Sequence, residues 1–142
     1  MAVKKELEIE AKVENLDKVL AFVDSELESK DSPMKIQVQI DIAVEEIFVN
    51  IAHYAYKPSV GMATICVEVK DEPLEMELTF IDSGIPYNPL AREDPDITLS
   101  AEEREIGGLG IYMVKKSMDK VSYENKDGKN ILRIWKGLEN EK

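Results

Sequence analysis

Three short segments carry side chains and glycines that could do chemistry on a phosphate. Glu46 and Asn50 are four residues apart, one turn along a helix, so a carboxylate and an amide could reach one metal-bound phosphate. Asp82 ends an apolar strand, where its carboxylate could accept a hydrogen bond from the edge of a base. A glycine-rich turn at 107–110 leads into a helix, an arrangement that suits an anion. Together the three segments predict an ATP site.

Helical geometry separates Glu46 from its neighbour Glu45. At about 100° per residue, Glu46 and Asn50 lie at the margin of an apolar stripe, whereas Glu45 points almost directly away from it. The stripe consists of Ile36, Ile40, Ala43, Ile47 and Ile51. We therefore expect Glu46 and Asn50 in a groove and Glu45 on the surface.

Each segment also has an ordinary structural interpretation. Most Glu-x-x-x-Asn pairs on helices are solvated polar positions, and Asp82-Ser-Gly84 alone is typical of a turn. The glycine-rich turn at 107–110, taken alone, is only moderate evidence for a phosphate site. Glycines are not the best residues to begin a helix, however, because Ser or Asp would cap it better. His53 is more typical of a hydrogen-bonded packing residue than of a catalytic group. The order of all three segments in one chain is what favours a nucleotide site.

Composition narrows the class of protein. The chain has 142 residues and 44% hydrophobic content, enough for one domain with a sizeable core. Its net charge of -11 argues against a nucleic-acid or anionic-membrane surface, so a basic or amphipathic protein partner fits better. The single cysteine, Cys66, excludes an internal disulfide and predicts a reducing setting. Without a signal peptide or a membrane span in the sequence, we expect a cytoplasmic protein.

Hydrophobic periodicity predicts the elements that position the first two segments. It predicts a strand over 3–13, a helix from Leu16 that stops before Pro33, and a second helix from Met34 to Tyr54. This second helix carries the Glu-x-x-x-Asn segment. Alternating apolar residues then predict two strands joined by a turn at 71–73, and the second strand ends at the aspartate.

The second half of the chain contains a long polar loop. Residues 87–107 are rich in Pro, Asp, Glu and Ser, and we predict a lid there, because long loops in compact domains are commonly functional. A helix from about Leu109 to Met118 has apolar residues on two sides, which predicts that it is sandwiched. Asp127-Gly128 predicts a hairpin between the last two strands. The whole chain, 1–142, is predicted to be a single ATP-binding domain.

The order of the segments resembles the N, G1 and G2 boxes of the ATPase superfamily shared by gyrase, the heat-shock chaperone, histidine kinases and the mismatch-repair ATPase. The resemblance covers most of the chain. The short length and the sequence at 47–56 look most like the bacterial anti-sigma-factor serine/threonine kinases. This resemblance implies an α+β fold, a two-layer sandwich of the histidine-kinase-type (Bergerat) ATPase. Its sheet would be mixed but mostly antiparallel, with helices on one face.

The resemblance also implies roles for the residues that match. Glu46 would be the general base on an incoming hydroxyl, and Asn50 would ligate a Mg²⁺ ion that bridges the phosphates. Asp82 would recognise adenine, Gly84 would make room for it, and Arg104 is a weaker candidate for a phosphate contact. The positions that the family pattern assigns to ATP binding are Asn50, Asp82, Gly84, Pro86, Arg104, Gly107, Gly108, Leu109 and Gly110.

Pro86 departs from the pattern of many superfamily members, which have glycine at this place. Proline fixes the backbone and removes an N–H group, so the local turn must differ from a glycine version. The adenine-recognising aspartate is retained. The departure therefore indicates a subfamily difference more than a loss of nucleotide binding.

The activity implied by the resemblance is that of an ATP- and Mg²⁺-dependent serine/threonine protein kinase of the anti-sigma type. Its substrate would be a small anti-anti-sigma (antagonist) protein and its other partner a sigma factor, so that partner choice sets transcription. Homodimerisation is common in that family, although no segment here establishes it. One alternative is a nucleotide-dependent module that switches partners without phosphoryl transfer. Another is a detached histidine-kinase ATP domain, although we expect no helical bundle bearing a phosphoacceptor histidine in this sequence.

Overall fold

The computed structural model describes residues 3–28, 32–56, 59–71, 74–86, 88–91 and 108–138. The α-helices in these ranges are α1 (Leu16–Glu28), α2 (Met34–Asn50) and α3 (Gly108–Ser117). The strands are β1 (Val3–Glu10), β2 (Met62–Asp71), β3 (Leu74–Asp82), β4 (Lys120–Lys126) and β5 (Lys129–Gly137). No helix within the described part of the chain is long and apolar enough to cross a membrane.

The strands form one sheet in the order β1-β2-β3-β5-β4, and each of these pairings is antiparallel. Asp127 and Gly128, which join β4 to β5, have φ values of 54° and 79°. Two positive φ values in a two-residue loop are typical of a type I′ turn, so the predicted Asp-Gly hairpin is confirmed. Because β5 lies between β3 and β4, Asp82 at the end of β3 pairs with Asn130 of β5.

The helices cover one face of the sheet. Alternate strand residues on that face are buried against α1 and α2, among them Ile65, Val67, Leu78, Phe80, Leu132 and Ile134. The opposing helix residues include Val19, Val23, Leu27, Ile36, Ile40, Ala43 and Ile47. Each fully buried side chain of this kind contributes about 1.5–3 kcal/mol. The observed two-layer arrangement confirms the predicted α+β fold class. The predicted mixture of strand directions is not found, because every pairing among the described strands is antiparallel.

The second helix ends earlier than its periodicity predicts. Its α-helical hydrogen bonding stops at Asn50 rather than Tyr54, and the chain continues as a π turn over Ile51–Ala55. Apolar spacing could not reveal this change, because the stripe continues in register across Ile47 and Ile51 in either kind of turn. Single π turns occur frequently at functional sites. Here the π turn directly follows one of the predicted site residues.

The last helix is not sandwiched, and that prediction is wrong. Ile111, Val114 and Met118 are buried, but Met113 on the other side is 49% exposed. α3 packs against α2, and its opposite face meets solvent. Of the two apolar sides of this ten-residue helix, one is the buried face and the other includes an exposed side chain.

Two carboxyl groups meet between α1 and α2. Asp24 Oδ1 and Asp41 Oδ1 are both shielded from solvent. Burial, followed by the hydrogen bond and the charge of Asp24, raises the pKa of Asp41 to about 7. Near neutral pH the Asp41 carboxyl is therefore partly protonated, because burial and the neighbouring Asp24 disfavour its ionisation.

Cys66 lies on β2 beside Glu6 of β1, and its Sγ donates to Glu6 Oε2 at 3.7 Å. Burial, followed by the negative charge of Glu6, raises the pKa of the thiol. A buried thiol with a raised pKa is an inert packing group. Cys66 is therefore an ordinary residue of the strand.

The predicted lid at 87–107 lies almost wholly outside the described residues. Within it the structure describes 88–91, where Pro89–Ala91 forms one 3-10 turn. The Leu90 N–H donates to Asn88 Oδ1 at 2.9 Å at the start of this turn. The lid, and the assignment of 1–142 to a single domain, stay predictions.

Candidate functional site

Asp82 is a buried carboxylate at the end of β3, with 6% of its surface exposed. The Gly84 N–H and the Asn130 Nδ2 each donate to its Oδ1 at 2.9 Å. Because both bonds end on one oxygen, the carboxylate is held in a fixed orientation at the strand end. The strand ends at Asp82 as predicted, and the role of this carboxylate towards a base edge stays a prediction.

Asn130 is the centre of a buried hydrogen-bond network that the sequence interpretation missed. Its Nδ2 also donates to the carbonyl of Ile85 at 2.9 Å, and its Oδ1 accepts from Asn125 Nδ2 at 3.1 Å and from the Tyr123 hydroxyl. A signal was present: Asn130 occupies an inward position of β5, in register with the apolar Leu132 and Ile134. A polar side chain at such a position needs partners, and Asp82 is the main one.

Gly84 is in close contact with the π turn that extends α2. A Cβ built on Gly84 would overlap the backbone carbonyl of Ala55, and the Ile85 N–H donates to that same carbonyl at 2.9 Å. Glycine is therefore required here for backbone packing. We call Asp82, Gly84, Asn130 and Ala55 the Asp82 network.

Tyr56 fixes the segment next to this network. Its hydroxyl donates to the carbonyl of Met62 at 2.6 Å and accepts from the Ser83 N–H at 2.7 Å. A Cβ on Gly61 would overlap the Tyr56 ring, so a second close approach holds the aromatic side chain. Tyr56 thus joins the end of the π turn to the turn after β3. Nothing in its spacing indicated this role, because its partners are backbone groups.

Glu46 lies directly against Gly110. A Cβ built on Gly110 would overlap Glu46 Oε2, so the space that glycine leaves is occupied by the carboxylate. Burial, followed by the charge of Glu45, raises the pKa of Glu46. A carboxylate with a raised pKa is a stronger proton acceptor near neutral pH. We call Glu46 and Gly110 the Glu46 contact.

The burial pattern of α2 agrees with the helical geometry predicted for it. Glu45 is exposed, whereas Glu46 and Asn50 are half-buried on the same edge, one turn apart. Asn50 is the last α-helical residue before the π turn. Within the described ranges no group of three acidic, histidine or cysteine side chains could hold a metal. A Mg²⁺ ion here would need most of its ligands from phosphates and water, as this ion commonly does.

The remaining predicted positions divide into two groups. Gly108 and Leu109 begin α3, and Pro86 lies exposed after the turn that follows β3. Arg104 and Gly107 lie outside the described residues. His53 is exposed and lies edge-on to Tyr54, with 5.9 Å between ring centroids, and its hydrogen-bonded packing role stays a prediction.

α2 and its π turn touch both of the other segments. Ala55 contacts the turn at Gly84, and Glu46 contacts Gly110 at the start of α3. Three segments that are separated in sequence are thereby joined around one helix. The arrangement offers an oriented acceptor at a strand end, a half-buried base and amide, and a helix that begins with glycines. A helix N-terminus can bind an anion, and an amide oxygen can contribute one ligand to Mg²⁺.

Comparison with known proteins shows which family the chain belongs to. The model of the family described as the histidine kinase-like ATPase domain matches residues 9–136. The serine/threonine-protein kinase BtrW of Bordetella bronchiseptica is 25% identical over 100 residues, 70% of each chain. The serine-protein kinase RsbW of Bacillus cereus is 30% identical over 93 residues, which cover 64% of this chain and 58% of that kinase. The matched segment thus spans little more than half of the Bacillus kinase.

A solved structure shows the same fold. The RsbU and RsbW domains of Rv1364c from Mycobacterium tuberculosis align with 94% of this chain and 32% of that chain, with a TM-score of 0.65. The identity is 14%, so this likeness concerns the fold alone. Since the family match covers nearly the whole chain and includes all three segments, the protein belongs to the histidine kinase-like ATPase domain family.

Proposed function

We propose that the protein is an ATP- and Mg²⁺-dependent serine/threonine protein kinase of the anti-sigma type. The observation that carries this proposal is the placement of Glu46 against Gly110, which sets a proton acceptor beside the glycines that begin α3. A protein that only binds nucleotide does not need a base at this point. The names of the Bordetella and Bacillus relatives, both protein kinases, support the same reaction.

ATP would lie between the Asp82 network and the start of α3. Asp82 would accept a hydrogen bond from the adenine amino group through Oδ2, since both described bonds to the carboxylate end on Oδ1. Gly84 and Pro86 would adjoin the base. The phosphates would meet backbone N–H groups at Gly107, Gly108, Leu109 and Gly110, with Arg104 as a further contact from the lid at 87–107.

Asn50 would provide the protein ligand for Mg²⁺. Its half-buried position one turn after Glu46 fits an ion that takes its other ligands from phosphates and water. When bound, the ion would neutralise charge on the phosphates. Asn50 would set its position relative to the base.

Glu46 would accept the proton from the serine or threonine hydroxyl of the protein substrate. The hydroxyl oxygen then forms a bond to the γ-phosphorus, the bond to the β–γ bridging oxygen breaks, and ADP leaves with that electron pair. Most of the catalysis in such reactions comes from positioning and charge neutralisation. Burial of Glu46 contributes by raising its pKa.

The partners of this kinase would be an antagonist protein, which it phosphorylates, and a sigma factor, which it sequesters. Unphosphorylated antagonist would occupy the kinase and release the sigma factor, so transcription would follow the phosphorylation state. An acidic chain with a net charge of -11 suits basic segments of such partners better than nucleic acid. A cytoplasmic location and a homodimer are part of the same proposal.

The first test is calorimetric titration with Mg-ATP and Mg-ADP of the wild type and of Asp82→Asn. An asparagine can still accept from Gly84 and Asn130 through its amide oxygen, so it preserves the fold while it alters the edge that faces adenine. We expect binding by the wild type and at least a tenfold loss in the variant, because a hydrogen bond to a charged group is worth about 1.5–3 kcal/mol.

The second test is transfer of label from γ-labelled ATP to candidate antagonist proteins, with Glu46→Gln as the matched variant. Transfer by the wild type and its loss in Glu46→Gln would establish the kinase. ATP binding without transfer to any candidate would favour the partner-switching module instead. No nucleotide binding by the wild type would overturn the proposal.

A further inference from the structure

The turn after β3 is held by hydrogen bonds more than by packing. Ser83 and Ile85 are both exposed, so burial of apolar surface does little to fix their position. The three successive N–H groups of the turn all donate: Ser83 to the Tyr56 hydroxyl at 2.7 Å, Gly84 to Asp82 Oδ1 at 2.9 Å and Ile85 to the Ala55 carbonyl at 2.9 Å. Of these three bonds, that of Ser83 depends on a side chain from outside β3 and its turn.

The Tyr56 hydroxyl lies where the pairing of β2 with β3 ends. Ala63 pairs with Asp82, so the next step of the same register would bring Met62 opposite Ser83. Instead, the hydroxyl accepts from the Ser83 N–H at 2.7 Å and donates to the Met62 carbonyl at 2.6 Å. It therefore stands between a donor and an acceptor that direct strand pairing could join. One side-chain atom thus ends the ladder directly beyond the buried carboxylate.

The position of the Tyr56 ring is itself fixed. The ring packs against the hydrophobic core, and a Cβ built on Gly61 would overlap its Cδ1, Cε1 and Cζ atoms. Gly61 is held in turn, because its carbonyl accepts from the Ala11 N–H at 2.8 Å. The hydroxyl therefore cannot follow the turn if the turn moves, and it acts as a fixed point for Ser83.

We propose that Tyr56 is a positioning residue for recognition of the base, an inference that rests on the proposed ATP binding. Its hydroxyl fixes the turn next to Asp82, and the fixed turn keeps Asp82 Oδ2 directed at the amino group of adenine. Tyr56 itself touches no part of the nucleotide in this role. A site built to accept from an amino group rejects a base that presents a carbonyl oxygen at the same place.

Loss of the hydroxyl changes the end of the ladder in one of two ways. Either Ser83 pairs directly with the Met62 carbonyl, or water enters between them. Each of these changes displaces the turn and with it the carboxylate of Asp82. Recognition of the amino group should therefore weaken, while the phosphate contacts at the start of α3 are unaffected.

The test is calorimetric titration of the wild type and of Tyr56→Phe with Mg-ATP and with Mg-ITP. Inosine carries a carbonyl oxygen where adenine carries its amino group, so the ratio of the two affinities measures recognition of this base edge. Phenylalanine keeps the ring that packs on the core and removes the hydroxyl alone. We expect the wild type to prefer ATP by about tenfold or more. Tyr56→Phe should bind ATP about fivefold more weakly and ITP within about twofold of wild type.

Tyr54→Phe is the matched control. It removes the hydroxyl of a tyrosine that is 52% exposed in the same π turn region. Both of its affinities should stay within about twofold of wild type.

Gly61→Ala tests the same role without removing the hydroxyl. The added methyl group must displace the Tyr56 ring, so the preference for ATP over ITP should fall as it does in Tyr56→Phe. Val60→Ala changes the exposed neighbouring residue and should leave the preference unchanged. This pair keeps the inference testable if Tyr56→Phe fails to fold.

Amide NMR spectra without nucleotide test the turn itself. The Ser83, Gly84 and Ile85 signals should shift in Tyr56→Phe and stay in place in Tyr54→Phe. The signal of Gly128, in the hairpin turn between β4 and β5, should stay in place in both variants.

The inference is overturned if the turn signals do not shift, or if the preference for ATP is unchanged in Tyr56→Phe. It is also overturned if the affinities for ATP and ITP fall by the same factor, as a general loss of structure would cause. If the wild type binds neither nucleotide, the proposed function fails and base recognition fails with it. The NMR spectra then still decide whether the hydroxyl holds the turn, so the two failures are distinguishable.

Discussion

The Asp82 network and the Glu46 contact are both built around a glycine, but the glycines have different neighbours. Gly84 faces the backbone carbonyl of Ala55, which cannot move without the helix that bears it. Gly110 faces the carboxylate of Glu46, the end of a flexible side chain. The comparison teaches that one part of the site is fixed by the fold and the other by a side chain. Substitutions in the first should affect stability, and those in the second should affect chemistry.

Gly84→Ala is the strongest test of the fixed part. The added methyl group overlaps backbone, so the turn after β3 must separate from the π turn and the bond from Ile85 to Ala55 is strained. We expect the free energy of unfolding to fall by about 3 kcal/mol, the upper range for overpacking. Urea denaturation of this variant beside Gly110→Ala measures the contrast. Equal losses in the two variants would remove the distinction between the two regions.

Gly110→Ala tests the part held by a side chain. The Glu46 carboxylate must move to admit the methyl group, while the backbone of α3 stays helical and alanine favours it. We expect stability within about 1 kcal/mol of wild type but a loss of transfer of about a hundredfold, the lower range for a displaced general base. Label transfer and urea denaturation, measured on the same preparation, test the two expectations together. Full transfer activity would mean that the position of Glu46 is unimportant.

Asn130→Ala examines the buried polar centre of the Asp82 network. It removes the donor to Asp82 and Ile85, and leaves the Tyr123 hydroxyl without its described acceptor. A loss of about 2 kcal/mol is expected, because buried polar groups are left unsatisfied. Asn125→Ala, which removes an exposed donor to the same side chain, is the control and should cost under about 0.5 kcal/mol.

Asp41→Asn tests a carboxyl group that lies outside both the Asp82 network and the Glu46 contact. The pKa of Asp41 is raised from 3.8 to about 7, so between these values the folded chain keeps a proton that the unfolded chain releases. Its contribution to stability is present below the lower value and is lost as pH rises towards about 7. We expect Asn at this position to gain about 1 kcal/mol over wild type at high pH, after allowance for solvent screening.

The gain of Asp41→Asn should disappear in acid, below the ordinary pKa of an aspartate. Melting temperatures recorded across this range for both proteins provide the measurement. A constant difference between the two melting temperatures at every pH would show that packing, and not the protonation of Asp41, is responsible.

Glu45→Gln should produce the smallest effect. The charge of Glu45 is the second cause, after burial, of the raised pKa of Glu46. Its removal should move the acid limb of the transfer rate to lower pH, because Glu46 then ionises more readily. A pH profile of label transfer checks this shift. A shift to higher pH would contradict the assignment of Glu46 as the base.

Much of the fold could be predicted because its information is local. Apolar spacing located the helices, alternation located the strands, and Asp127-Gly128 located the last hairpin. The burial difference between Glu45 and Glu46 followed from helical geometry. The π turn at Ile51–Ala55 could not be predicted, because a change from i→i+4 to i→i+5 bonding leaves the apolar stripe intact.

Parts of the site escaped prediction because they depend on strand order. Asn130 meets Asp82 only because β5 lies next to β3, and no periodicity specifies that neighbour. The packing reason for Gly84 likewise depends on where Ala55 comes to lie. Met113 shows a different limit of the sequence interpretation. Its spacing on α3 predicted a buried side chain, but an apolar residue can also remain exposed to solvent.

The single thiol of the chain lies on the face of the sheet that the helices do not cover. Cys66 is buried there, in a hollow lined by Lys4, Glu77 and Arg133, and its pKa is raised. An alkylating reagent therefore reaches it only when these side chains move aside or the strands separate. Since the sequence has no second cysteine, the rate of labelling would report the exposure of this one place without any engineered probe.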